Sequence, residues 1–115
     1  MILKKALMLS LILLSMSAQA DYNKEFVANR CNELAQTVTT LVSSQHNPIC
    51  VDKLYLASMQ MNTAAALILE DSIQAAKQII NNAISSLQYA ELSSCKHYVQ
   101  ISHSKLEANK LKHLL

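Results

Sequence analysis

The chain has 115 residues, contains no glycine and carries a formal net charge of +2 at neutral pH. Hairpin turns and β-bulges normally need glycine at positive φ, so its absence favours an all-helical protein and excludes a glycine-rich phosphate-binding loop. A chain of this length can build one small core and has no room for a second sizeable domain.

Residues 1–20 have the pattern of a secretory signal peptide. A short basic start is followed by an apolar run of about eleven residues and then by a small-x-small motif that ends at Ala20. We expect cleavage between Ala20 and Asp21, which leaves one helical domain over 21–115 without stable membrane insertion. Removing Lys4 and Lys5 leaves eight basic residues against eight acidic ones. Such a neutral chain predicts no nucleic-acid partner, and export predicts the bacterial periplasm or the medium.

Apolar residues at helical spacing predict the first two helices, near 22–44 and 48–70. Asn47 is expected as the N-cap of the second helix, with Pro48 at its first position, where the missing N–H is tolerated. Leu67 and Leu69 lie off the inner face of that helix, an excess that indicates deeper burial or a surface for a partner or a second copy. The inner faces predicted for the two helices are Val27, Cys31, Leu34, Val38 and Leu41, and Cys50, Leu54, Ala57, Met61, Ala65 and Ile68.

Two further helices are predicted near 72–92 and 94–112. Asp71 can cap the third helix, with Gln74 reaching back in a capping box, and Ser93 and Ser94 can cap the fourth. Four helices with short connections predict an up-down-up-down four-helix bundle, and the alternative is a three-helix bundle with an irregular C-terminal segment. The predicted inner faces are Ile73, Ala76, Ile80, Ala83 and Leu87 for the third helix, and Cys95, Val99, Ser102 and Leu106 for the fourth.

The three cysteines of an exported chain predict one disulfide and one free thiol. In an up-down bundle Cys50 and Cys95 lie at the same end, whereas Cys31 lies roughly 20 Å further down its helix. Disulfide-bonded residues have Cα atoms within about 7 Å, so we predict a Cys50–Cys95 staple and a buried free thiol at Cys31. A Cys31–Cys95 bond is the alternative if the last segment packs downward.

No motif assembles a catalytic, cofactor or metal site. Met59 and Met61 could bind Cu(I), but residues i and i+2 point to different sides of a helix, so both are expected to pack in or near the core. His46 and His97 could join Cys50 and Cys95 around zinc, but a disulfide between the two cysteines is favoured. We therefore predict a non-enzymatic protein without cofactors, an interaction or inhibitor-type module whose partner is another envelope or secreted protein, with a homodimer as an option. Four histidines and a neutral charge motivate the alternative of an acid-stress chaperone. A metal or redox carrier is the third hypothesis.

Overall fold

The computed structural model describes residues 23–115, which form four helices joined by short loops. Helix α1 covers 23–42, α2 Pro48–Leu69, α3 Ile73–Leu92 and α4 Tyr98–Leu114. Helix α2 packs against α3, and α3 against α4. An ion pair between Arg30 and Glu107 joins α1 to α4. The structure confirms the predicted four-helix bundle and rules out the three-helix alternative, while the predicted signal peptide and its cleavage between Ala20 and Asp21 lie outside the described residues.

The core consists of aliphatic side chains interleaved with alanines. All inner-face residues predicted for α1, α2 and α3 are buried, except Ile73, which is half-buried against the core. Alanine and serine at the contacts let the helices approach closely. At one such contact the Ser58 hydroxyl of α2 donates to the Ala35 carbonyl of α1 at 2.8 Å, and Thr39 of α1 lies 2.5 Å from the same hydroxyl. These bonds satisfy the polar groups buried between the two helices.

The start of α2 has the predicted geometry. Asn47 has an extended backbone and its side-chain oxygen accepts a hydrogen bond from the Ile49 amide at 3.0 Å. Pro48 occupies the first turn, where its fixed φ suits the helix and its missing N–H leaves no bond unmade. The chain therefore reverses direction over residues 43–47, and α2 runs antiparallel to α1.

The turn between α2 and α3 corrects the predicted capping box. Asp71 has a φ of 63°, its amide donates to Ile68, and the next amide, of Ser72, donates to the Leu67 carbonyl at 2.9 Å. This is a Schellman motif, so Asp71 terminates α2 instead of starting α3. Ser72 precedes α3 without a side-chain cap, and Gln74 is exposed and forms no box. The left-handed position that glycine usually fills is taken here by an aspartate.

The start of α4 differs from the prediction by four residues. Ser93 ends α3, and the loop that follows contains two residues at positive φ, Ser94 at 57° and His97 at 63°. These residues break the helical phase, so the face predicted from Cys95 onward does not continue into α4. Val99 and Leu106, predicted inside, are exposed, and Ser102 is only half-buried. The buried face of α4 consists of Ile101, Ser104, Ala108 and Leu111.

Candidate interaction surfaces

The end of the bundle formed by loops 43–47 and 93–97 is cross-linked, and we name it the stapled end. Cys50 and Cys95 form a disulfide with a Cα–Cα distance of 5.6 Å, in agreement with the predicted pairing. Both are buried, although Cys95 lies in the loop and not, as predicted, at the start of α4. The bond therefore ties the first turn of α2 to the loop between α3 and α4.

Gln45 holds the same loop by hydrogen bonds. Its buried side-chain amide donates to the Lys96 carbonyl at 2.8 Å and accepts from the Lys96 amide at 2.9 Å. The same nitrogen also donates to the Leu41 carbonyl at 3.1 Å. Sequence reasoning missed Gln45, because a glutamine in a polar linker has the same appearance whether it is solvated or bonded to a distant backbone. The disulfide and this amide together fix two consecutive residues of the loop.

Large apolar side chains are exposed around this cross-link. Leu92 and Val99, 79% and 75% exposed, have the highest exposure of any large apolar side chains in the described part of the chain. Tyr98 and Ile49 are about half exposed. All four lie within four residues of Cys50 or Cys95 and therefore at the same end of the bundle. We name this set the stapled-end patch.

A second apolar surface runs along the outside of α2. Its members, which we name the α2 stripe, are all exposed and recur at steps of 4, 3, 4 and 3: Tyr55, Met59, Asn62, Ala66 and Leu69. This is the spacing of a coiled-coil seam, and it is separate from the inner face of the helix. The exposure of Met59 corrects the expectation that both methionines pack in or near the core, because only Met61 is buried there. Leu67 packs against the core, whereas Leu69 belongs to the stripe.

The α1 surface beside the stripe is polar. Thr39 bonds to Ser58 of α2, which shows which side of α1 faces α2. Asn32 lies seven residues before Thr39, Gln36 three residues before it, and Ser43 four residues after it. All three are therefore on the same side of α1 as Thr39. All are exposed and uncharged. Glu25, seven residues before Asn32, is exposed on this side too, so the polar flank of the α1–α2 face carries a negative charge.

A groove of about 220 Å³ separates α1 from α4. Its charges are paired with one another: Arg30 bonds to Glu33 at 3.1 Å and lies 3.7 Å from Glu107. The Ser104 hydroxyl lines the groove, is buried and has no hydrogen-bond partner among the described residues. Glu107 also lies 3.5 Å from Lys110, so both carboxylates and the guanidinium of the groove are engaged in ion pairs.

Two ionisable groups, the half-buried Glu91 and the buried Cys31, have pKa values shifted by their surroundings. The Glu91 side chain bonds to Lys105 at 2.6 Å and accepts from Ser102 at 2.5 Å. Burial alone would raise the pKa of Glu91, but these hydrogen bonds and the charge of Lys105 outweigh it and hold the pKa below its usual value. The Cys31 thiol is free and fully buried, as predicted, and burial raises its pKa to about 11. A thiol without access or thiolate character is a poor nucleophile.

Residues 23–115 contain no group of three or more His, Cys, Asp or Glu side chains arranged to hold a metal ion. Within the same residues, no helix combines the length and the apolar character that a membrane span requires. The described residues define a class of molecule, a disulfide-stapled all-α bundle with two exposed apolar surfaces. Comparison with protein-family models, with curated proteins and with solved structures finds no match to this chain.

Proposed function

We propose that this chain is a small exported protein of the bacterial envelope or the secreted space that binds another protein without catalysis. The stapled-end patch is its binding surface. The observation that carries the proposal is the position of Leu92 and Val99, the two most exposed large apolar side chains among the described residues, on either side of the cross-linked loop. Exposed apolar surface is unfavourable in water by roughly 25 cal/mol per Å². A cluster of it at one place is typical of an interaction site.

The cross-linked loop favours tight binding because it is already ordered. Association costs about 0.5–1.5 kcal/mol for each flexible side chain that it immobilises, and more for a mobile loop. Here the disulfide and the Gln45 amide hold the loop before any partner arrives. Tyr98 adds the amphipathic ring that is enriched at binding hot spots. These features are typical of inhibitors and immunity proteins, which bind with little change of shape.

The proposed location is supported by the sequence of residues 1–20 and by the paired cysteines. Disulfides persist in the periplasm and outside the cell, and are rare in the cytosol. A Cys50–Cys95 bond that spans 45 residues suits such a compartment. The export proposal is tested by fractionation of cells that express the full chain, followed by mass measurement of the product. A product retained in the cytosol with residues 1–20 attached would contradict it.

The binding proposal is tested by affinity capture from envelope extract, with protein expressed from the full chain. Wild type should retain one protein reproducibly, and the double variant L92S/V99S should lose it, because both substitutions remove apolar contacts of the patch. The matched control is L106S, which changes a leucine of α4 that is also exposed, at 57%, and lies away from the stapled end. Equal retention by the double variant, or no specific retention by wild type, would show that the patch is not a binding surface.

The acid-stress chaperone and the redox or metal carrier, the two other hypotheses, gain less support. All four histidines are exposed, so their protonation places no charge in the core and gives no direct route to acid-induced opening. A dye that reports apolar surface should therefore show no histidine-dependent increase in binding when the solution is acidified. A redox or metal carrier that relies on cysteine has no accessible thiol among the described residues, since Cys50 and Cys95 are bonded to each other and Cys31 is buried.

A further inference from the structure

We propose that the groove between α1 and α4 binds a small uncharged molecule rich in hydroxyl groups, of the class of sugars and short polyols. The groove is lined by residues between 30 and 37 of α1 and between 103 and 111 of α4, away from the stapled-end patch. The proposal therefore goes beyond the binding of another protein and does not depend on it. Its first support is the hydroxyl of Ser104, which lines the groove.

Ser104 differs from the two other buried serines of the described residues. Ser58 donates to a carbonyl of α1 at 2.8 Å, and Ser86 donates to the side chain of Gln60 on α2 at 3.0 Å. Ser104 is only 1% exposed, yet its hydroxyl has no hydrogen-bond partner among the described residues. It does not bond to the carbonyl four residues before it, as several serines and threonines of these helices do. A buried hydroxyl without a partner destabilises a fold, so its position in the groove indicates a role in binding a ligand.

The charges of the groove favour an uncharged ligand. Arg30 lies 3.1 Å from Glu33 and 3.7 Å from Glu107. Glu107 in turn lies 3.5 Å from Lys110. A charged ligand would have to compete with these ion pairs. A hydroxyl both donates and accepts, so it can bond to the guanidinium N–H groups and to the carboxylate lone pairs that the ion pairs leave free.

The size and the lining of the groove agree with this class of ligand. Its volume of about 220 Å³ corresponds to about seven waters at roughly 30 Å³ each, and is below the roughly 300–1,000 Å³ of sites for drug-sized ligands. Leu34 and Leu111 are buried and line the groove, so the C–H groups of a sugar ring can pack against them. The Thr37 hydroxyl and the His103 imidazole, which also line it, can each bond to a ligand hydroxyl. The groove therefore suits a single sugar ring or a shorter polyol.

NMR titration of isotope-labelled protein expressed from the full chain tests the proposal, with D-ribose, D-glucose and glycerol as probes. At least one probe should shift the amide signals of groove residues in a saturable manner, with a dissociation constant in the millimolar range. The affinity should be equal at about 0.05 and 0.5 M salt, because salt does not screen an uncharged ligand. No saturable shift with any of the three probes would overturn the proposal. Glycine is the charged probe, and tighter binding of glycine than of all three polyols would overturn the assigned class of ligand.

Replacement of Ser104 by alanine tests the role of its hydroxyl. S104A should weaken binding of the probe about tenfold, because the ligand loses a hydrogen bond at a buried position. The matched control is S58A, which removes the hydroxyl of a buried serine that is bonded within the fold, and it should bind the probe like wild type. Unchanged binding by S104A would contradict the proposal.

Thermal unfolding without a probe distinguishes a binding role of the hydroxyl from a structural one. S104A should unfold at the wild-type temperature or above it, because it removes an unpaired buried hydroxyl, whereas S58A should unfold about 5 °C lower. A loss in S104A as large as in S58A would show that the hydroxyl is bonded within the fold, and the proposal would fail. L92S/V99S should bind the probe like wild type, and S104A should still retain the captured protein, so either proposal can fail without the other.

Discussion

Removal of the Cys50–Cys95 bond should destabilise the fold by a large and calculable amount. The bond closes a loop with a sequence separation of 45 residues. In the chain-entropy model, a loop of this size contributes about 4 kcal/mol by restricting the unfolded chain. A domain of this size has a free energy of unfolding of about 5–10 kcal/mol, so the bond accounts for roughly 40–80% of that free energy. The variant C50A/C95A should therefore unfold about 20 °C below wild type.

Urea unfolding followed by circular dichroism measures this effect with and without reductant. Wild type should lose about 4 kcal/mol on reduction, and C50A/C95A should be insensitive to reductant. C31A is the matched control: it also removes a buried cysteine, loses about 1 kcal/mol through the cavity, and keeps the full response to reductant. A loss below about 1 kcal/mol on reduction would refute the entropic account, and a C31A variant insensitive to reductant would refute the pairing.

Four further measurements follow from the contacts. Q45M removes the bonds to the 93–97 loop without changing volume and should cost about 2 kcal/mol in urea unfolding; no loss would mean that the disulfide alone fixes the loop. Because the native pKa of Glu91 is lowered, its stabilisation is present above the unfolded carboxyl pKa of about 4.3 and disappears as pH falls through the native value. E91Q should therefore cost about 2 kcal/mol at pH 7 and make the free energy of unfolding less dependent on pH below 5. If the free energy of unfolding of E91Q fell as steeply with acidification as that of wild type, this account of Glu91 would be wrong. D71G should stabilise the protein by about 1 kcal/mol because glycine adopts the left-handed conformation freely, whereas D71A, which loses the same exposed ion pair to Lys24, should not. Cys31 should react with a thiol reagent at neutral pH only after denaturant is added, since it is buried and its pKa is about 11; rapid labelling of native protein would show that it is accessible.

The inner faces of the first three helices could be read from the sequence because apolar spacing and local capping chemistry agree there. Asn47 and Pro48 both interact only with the first turn of α2, so their roles can be predicted without the tertiary structure. The cysteine pairing also followed from the layout, since short connections bring the end of α1, the start of α2 and the loop before α4 together. Gln45 could not be found in this way, because its bonds cross 51 residues to a backbone segment that has no sequence signature.

The failures at Asp71, Ser94 and His97 have one physical cause. Each adopts positive φ, which sequence reasoning normally assigns to glycine, and this chain contains none. Without that signal, the sequence predicts Asp71 at the start of α3, although it completes the end of α2. The apolar spacing likewise predicts a continuous face from Cys95 into α4, although the loop interrupts it.

These misassigned positions also bear on function. Val99 and Leu106 have the same apolar chemistry as core residues, and only the phase of α4 separates them from the core. Met59 and Leu69 differ in the same way from Met61 and Ile68 on α2. A sequence pattern reports that a residue prefers to leave water, but the backbone phase decides whether its own fold can bury it. Val99 of the stapled-end patch and Met59 and Leu69 of the α2 stripe are residues of this kind, and each lies on one of the two exposed apolar surfaces of the fold.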